Sequence, residues 1–179
     1  MPYHHGNLRS ALLDASFTLL AEHGLSEFSV AKVARAVGVS TASPYRHFAD
    51  RDALLDAVAA QAAVELADRI RADVEAAGED PVERFAVTAG TYVRFVVERG
   101  AGLDVIFRAD AGRDLMDLLL DLAGQVPGED SLTLLERHLV AAHGYVTLYR
   151  SGFFKVGDPT VETIAERAVE ATRSLLDGA

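Results

Sequence analysis

The chain has 179 residues, 50% of them apolar and 25% charged, enough to bury the core of one domain or of one domain with a small appendage. It has no cysteine, which excludes disulfides, thiolate metal sites, iron–sulfur clusters and cysteine nucleophiles and suits a reducing compartment. The net charge of −10 is unevenly spread: residues 1–51 carry five basic and four acidic side chains and four of the six histidines, whereas residues 52–179 carry 12 basic and 23 acidic ones. A polyanion would therefore have to bind the first stretch, with the acidic remainder repelling it. No apolar run approaches the about 20 residues of a membrane span. Residues 1–9, MPYHHGNLR, lack the apolar core of a cleavable signal, so a cytoplasmic protein without membrane association is expected.

Nearly every segment repeats its apolar residues with helical period, and an all-α fold of about nine helices is expected. The first, about 7–23, aligns Leu8, Leu12, Ala15 and Leu19, widened by Leu13, Phe17 and Leu20, and stops at Gly24. Ser29 caps a short helix through Val37, with Val30, Val33, Ala34 and Val37 inward, and Gly38 ends it. Ser40 or Thr41 caps another short helix to about His47. Asp50 then caps a long helix, about 51–77, whose stripe runs Leu54, Leu55, Val58, Ala62, Leu66, Ile70 and Val74. At that length it would measure roughly 40 Å. Helices follow at about 81–99, 102–108, 112–124, 130–153 and 159–177, punctuated by Gly78, Gly100, Gly102, Gly112, Pro127-Gly128 and Gly157-Asp158-Pro159. The change of composition near residue 52 falls inside the long helix, so two modules, 1–51 and 52–179, are expected to share a rigid element.

Two short amphipathic helices around a Gly-containing turn form a helix-turn-helix pattern, whose second helix can enter the DNA major groove. The unit here is SVAKVARAVGVSTASPYRHF, residues 29–48. Val30, Val33, Ala34, Val37 and Val39 would pack it together over Leu12, Leu19 and Phe48. Thr41, Ala42, Ser43, Tyr45, Arg46 and His47 are left facing outward. Short hydroxyls and a methyl come first and longer donors second, an order suited to base edges and then to phosphates. Pro44 falls at the edge of the first turn, where a missing N–H costs at most one hydrogen bond. Any helical hairpin supplies such a pattern, and two packed core helices with an incidental polar face are its plain alternative.

The longer string is more specific. Residues 8–55, LRSALLDASFTLLAEHGLSEFSVAKVARAVGVSTASPYRHFADRDALL, closely resemble the DNA-binding domain of the TetR/AcrR family of one-component transcriptional regulators, most sharply over VGVSTASPYRHFADRDALL. The resemblance implies an all-helical homodimer, three N-terminal helices that read DNA, and a long helix leading to a C-terminal helical domain that binds an effector and dimerises. By position it implies that Ser40, Thr41 and Ser43 lie in the groove. It places Tyr45 and His47 on phosphates, Arg46 on either, and Arg51, where the family usually has Lys, on a phosphate as well. Ser29 and Lys32 would touch the flanking backbone. Ala42 and Pro44 stand where the family often has Gly and Leu, which bears on base preference.

Elsewhere the chain offers alternatives. His4 and His5 read as a metal site, a purification remnant or, with Asn7 and Arg9, an arm along the DNA backbone. His138 and His143 are five apart and share no face as an i, i+4 metal pair would; His138 is expected at the surface or an interface. His143 lies in AAHGYVTLYRSGFF, which resembles the His-Gly helix of a Trp-His-Gly C-terminal subgroup, although Ala142 replaces the Trp. It would line a pocket or pack in the core. Asp110, Asp114, Asp117 and Asp121 recur along one face, read as a solvated acidic face or an oxygen-rich cation site. No metal is assigned to them. Phe85, Tyr92, Phe95, Phe107, Leu115, Met116 and Leu119 could line a mostly apolar ligand pocket or form simple core. Leu132, Leu135, Leu139, Val146, Tyr149 and Phe153 form a seam, with Ala142, that Val161, Ile164, Ala168 and Leu175 match on the last helix. Two such helices from each subunit would make a four-helix dimer interface.

No nucleophile elbow, zinc-protease helix, P-loop or dinucleotide fingerprint occurs, so no catalytic residue or cofactor is assigned and no enzyme is expected. The sequence thus reads as a regulator, expected to be a repressor released from a palindromic operator by a small apolar ligand that tilts the long helix. A helical small-molecule-binding protein or enzyme with a structural N-terminal motif, or a DNA-binding regulator without a small ligand, are the competing readings.

Overall fold

The computed structural model describes residues 8–108, 110, 112–128, 130–154, 157 and 159–176. Among them are eight α-helices, two 3₁₀ turns and no strand. The helices are α1 (Leu8–His23), α2 (Val30–Val37), α3 (Arg51–Ala76), α4 (Pro81–Arg99), α5 (Leu103–Ile106), α6 (Arg113–Gln125), α7 (Ser131–Arg150) and α8 (Val161–Leu176). The 3₁₀ turns are Leu25–Glu27 and Pro44–Arg46.

The expected all-α class therefore stands, with one element changed. The short helix expected up to His47 is instead the turn Pro44–Arg46. Pro44 has no N–H to give the Ser40 carbonyl, so the α ladder cannot start there. The chain closes i to i−3 bonds in its place, from the N–H of Ser43 to Ser40 O (3.0 Å), of Arg46 to Ser43 O (3.2 Å) and of His47 to Pro44 O (2.9 Å). A second difference lies at the end of α7, expected to reach residue 153. The Gly152 N–H donates to Tyr149 O and the Phe153 N–H to Leu148 O, both 3.0 Å, closing a Schellman motif that leaves Phe153 beyond the helix.

The chain forms two compact units. One comprises the chain up to Ala62 together with Arg99–Gly112; the other comprises Ala63–Glu98 and the chain from Arg113. In the first, α1 and α2 pack on Leu12, Leu13, Phe17, Leu20, Val30, Val33 and Ala34, with Phe28, Phe48, Leu54, Leu55 and Val58 completing the core. Ala101, Val105 and Ile106 are fully buried in the same unit. Gly100 meets α1 backbone to backbone: a Cβ there would overlap Ala21 N and Leu20 C, and its φ of 71° is one that L side chains rarely adopt. Around it, the Arg99 guanidinium lies 4.1 Å from the centre of the Phe17 ring, and Arg108 reaches Asp52 (3.1 Å) and Asp56 (3.3 Å) on α3.

In the second unit α6, α7 and α8 pack in sequence, and α4 meets α8 in antiparallel order, its later Arg94 facing the early Glu162 and its early Glu83 facing the later Arg173. Two bidentate ion pairs fix that register: Arg94 with Glu162 (2.9 and 2.7 Å) and Glu83 with Arg173 (2.8 Å to each oxygen). Gly90 lets the two helices approach, since a Cβ there would sit 3.0 Å from Val169 Cγ2. Among the described residues no helix is long and apolar enough to cross a membrane.

Candidate nucleic-acid interface

The first unit builds an exposed polar edge on an apolar frame. Ser29 has extended backbone, and its Oγ accepts from the Lys32 N–H at 3.2 Å, satisfying one of the orphan donors of α2. Eight residues later α2 ends in a Schellman motif: the N–H of left-handed Gly38 bonds Arg35 O (3.1 Å) and that of Val39 bonds Ala34 O (3.0 Å). The chain then turns through Ser40–His47. Pro44 and Phe48 are its buried anchors, and Arg9 of α1 lies 5.3 Å from the Phe48 ring centre. Asp50 Oδ1 caps α3 through the Ala53 N–H at 2.8 Å.

Between these anchors Thr41, Ala42, Tyr45, Arg46 and His47 are exposed, Tyr45 to 54%. Ser40 and Ser43 hold each other by a hydroxyl–hydroxyl bond of 2.8 Å, Ser40 exposed and Ser43 half-buried. Lys32 pairs with Glu27 at 3.0 Å, and that hydrogen bond holds the Glu27 carboxyl below the usual range. Arg51 turns part of its guanidinium inward, from Nε to Phe28 O (3.2 Å) and from Nη2 to Leu25 O (3.3 Å). What the edge presents is a row of hydroxyls, a methyl, a phenol, a guanidinium and an imidazole.

A family model described as bacterial regulatory proteins, tetR family, matches residues 12–58, which contain this whole edge. A helix-turn-helix-type transcriptional regulator of Haemophilus influenzae is 29% identical over 150 residues, 78% of this chain and 73% of that protein. The chain belongs to the TetR family. It is a DNA-binding transcriptional regulator. A solved structure from Rhodococcus sp. RHA1, a protein of unknown function, is 30% identical with a TM-score of 0.73 over 98% of both chains. A TetR-family regulator from Streptomyces coelicolor shares the fold, at 24% identity and a TM-score of 0.65 over 95% of each chain.

In this TetR-family chain the residues of the second unit fall into distinct surroundings. Phe85, Tyr92, Phe95, Leu115 and Leu119 are buried, Met116 and His143 half-buried, and Phe107, also half-buried, belongs to the first unit. Tyr92 Oη lies 2.8 Å from His143 Nδ1, joining α4 to α7. Two open clefts, of about 380 Å³ beside Val74, Arg84 and Leu122 and about 400 Å³ beside Asp73, Val87 and Arg94, are lined by none of these residues.

His138 corrects the expectation that placed it at the surface or an interface. It is 1% exposed, bonded at 3.0 Å to Thr88 Oγ1 through Nε2 and to Thr172 Oγ1 through Nδ1, with the Phe85 ring 4.5 Å away. Burial pushes it down to about 4, so it is neutral at pH 7. The threonine partners lie 50 and 34 residues away, where no spacing on α7 could reveal them.

Of the seam residues, Leu135, Val146, Ile164 and Ala168 are buried inside the chain itself and have no area left for a second copy. Leu139, Tyr149, Val161 and Leu175 are half-buried. Leu132 is 55% exposed, and Phe153, 69% exposed, stands on the turn after α7. Val140 (74%) and Leu148 (39%), absent from the expected seam, are the other large apolar side chains that α7 exposes. Asp114, Asp117 and Asp121 are exposed on α6, and Asp110 precedes that helix. Among the described residues no group of three His, Cys, Asp or Glu side chains could hold a metal. His4, His5 and Asn7 lie outside the described residues.

Proposed function

We propose that this regulator is a homodimeric repressor whose two Ser40–His47 turns enter successive major grooves of a near-palindromic operator, and that a small, mostly apolar effector releases it. The observation that carries the reading is the combination of buried Pro44 and Phe48 with exposed Thr41, Tyr45, Arg46 and His47: the frame is fixed by packing while the donors keep their outer sides. Thr41, with Ser40 and Ser43, would read base edges. Tyr45 and His47 would hold phosphates, Arg46 either, and Arg51 a phosphate at the start of α3. Ser29 and Lys32 would touch the flanking backbone. The unit that runs to Ala62 and takes in Arg99–Gly112, rather than residues 1–51 alone, would then be the reading module, and Ala63–Glu98 with the chain from Arg113 the effector and dimer module. A cytoplasmic location follows from that role.

The effector would lie among Phe85, Tyr92, Phe95, Leu115, Met116 and Leu119, with the Tyr92–His143 pair supplying a polar contact. This is the mix of apolar wall and few oriented polar groups that ligand sites use. The exposed Leu132, Val140 and Leu148 of α7 support a contact with a second copy. An effector that favours the DNA-incompetent state by about 1–3 kcal/mol would weaken operator binding about 5–150-fold. Because α3 is one continuous helix with residues in both units, displacing its second half is a direct route to its first turn.

Selection of random duplexes by the purified protein tests the reading. A near-palindromic consensus that Thr41→Ala alters is expected; an absence of enrichment overturns it. Screening compounds for release of that duplex then separates a small effector from control by a partner protein.

A further inference from the structure

The resemblance makes Arg51 a phosphate contact, but its geometry in the first unit assigns it a second task. The Nε and Nη2 edge of the guanidinium grips two carbonyls of the 25–28 turn, Phe28 O at 3.2 Å and Leu25 O at 3.3 Å. The same group lies 5.7 Å from the centre of the buried Phe28 ring. These partners are 23 and 26 residues away in sequence, so the contact closes a loop that contains all of α2 and the whole Ser40–His47 turn. The next residue after Phe28 is Ser29, the cap of α2, and the same turn holds Lys32 through Glu27. Arg51 thus joins the first residue of α3 to the start of α2, on either side of the proposed reading turn.

We infer that Arg51 is a positioning residue for DNA recognition, one that sets the angle between α2 and α3 and hence the register of the reading turn. This deepens the proposed function and rests on it. Lysine cannot replace it in this role. A lysine ammonium carries the charge and reaches a phosphate, but it is a point donor, with no planar fork for two carbonyls and a weaker fit to an aromatic face. A bare phosphate contact would tolerate Arg51→Lys; a positioning clasp would not.

The experiment compares full-length wild type, Arg51→Lys and Lys32→Gln on the selected operator and on a random duplex across a range of salt concentrations. Arg51→Lys is expected to lose about tenfold in operator affinity while binding to the random duplex and the slope against salt stay at wild-type values. Lys32→Gln, which removes a backbone contact, should weaken both duplexes alike. Wild-type operator affinity in Arg51→Lys overturns the inference, as does a loss equal on both duplexes. Backbone amide shifts guard against global misfolding: changes across 25–32 and 40–47 are expected, and changes confined to residue 51 or spread through the entire chain overturn it. If the wild type selects no operator, the proposed function fails instead, which is a separate result.

Discussion

The two units place their chemistry on opposite sides of their cores. In the first, an apolar frame points Thr41, Tyr45, Arg46 and His47 outward, and among the described residues Ser16 is its one buried polar side chain, its hydroxyl donating to Leu12 O at 2.7 Å. In the second, polar groups sit between helices: His138 spans Thr88 and Thr172, Tyr92 meets His143, and Thr91 Oγ1 donates to Asp73 Oδ2 at 2.5 Å. A surface proposed to meet an unvarying polyanion can be built from one turn. A region whose polar groups face each other across helices depends on several segments at once. The difference teaches that the first unit should be sensitive to backbone geometry and its outer side chains dispensable for folding, whereas the second should couple its buried polar groups to stability.

The largest test of that contrast pairs two glycines. Gly100→Ala would force a Cβ onto the α1 backbone from a positive φ, and a loss above about 3 kcal/mol in denaturant unfolding is expected, with DNA binding abolished. Gly90→Ala meets Val169 Cγ2 at 3.0 Å, Arg94 Nη1 at 3.3 Å and Ala165 O at 3.4 Å, with no backbone overlap, so about 1 kcal/mol is expected there. Equal effects would erase the distinction.

Next comes acid. His138 titrates near 6.5 unfolded and about 4 folded, so between those values the unfolded chain holds more protons and stability falls as pH drops. The loss should approach about 3 kcal/mol by pH 4 from this group, at 1.36 kcal/mol for each tenfold in proton affinity. His138→Leu should flatten that part of the pH–stability curve, because Thr88 and Thr172 retain bonds to Phe85 O and Ala168 O. An unchanged curve would show that the histidine does not report the buried region.

A smaller effect is expected at the proposed reading turn. Thr41→Ala or Ser43→Ala should alter base preference by about 1–3 kcal/mol per affected pair, while Tyr45→Phe and His47→Ala weaken all duplexes alike and leave the melting temperature in place. The smallest is Arg94→Met. Its bidentate partner Glu162 is exposed and solvent screens the pair, so less than about 1 kcal/mol is expected, falling further in high salt.

The legibility of the sequence follows the same division. Ser29, Gly38 and Asp50 act locally, each on a backbone group within three or four residues, and α2 and the start of α3 could be read from them. Pro44 was legible as a residue but not as the reason a helix becomes a 3₁₀ turn, since that depends on which carbonyl loses its donor. Apolar stripes on α7 and α8 were equally plain. A stripe does not say whether it faces its own chain or another copy, and Leu135, Val146, Ile164 and Ala168 face inward. His138 was the least legible of all, because its partners lie on α4 and α8.

The stretch Arg99–Gly112 has an implication for how such regulators can be recombined. Its buried Ala101, Val105 and Ile106 belong to the unit formed by the chain up to Ala62, although 36 residues of the other unit intervene. A chimaera spliced after residue 51 or 62 would graft the amino-terminal sequence onto a foreign strip in place of this one. To transplant binding specificity intact, an engineer must move both pieces, or else swap only the side chains on the outward edge.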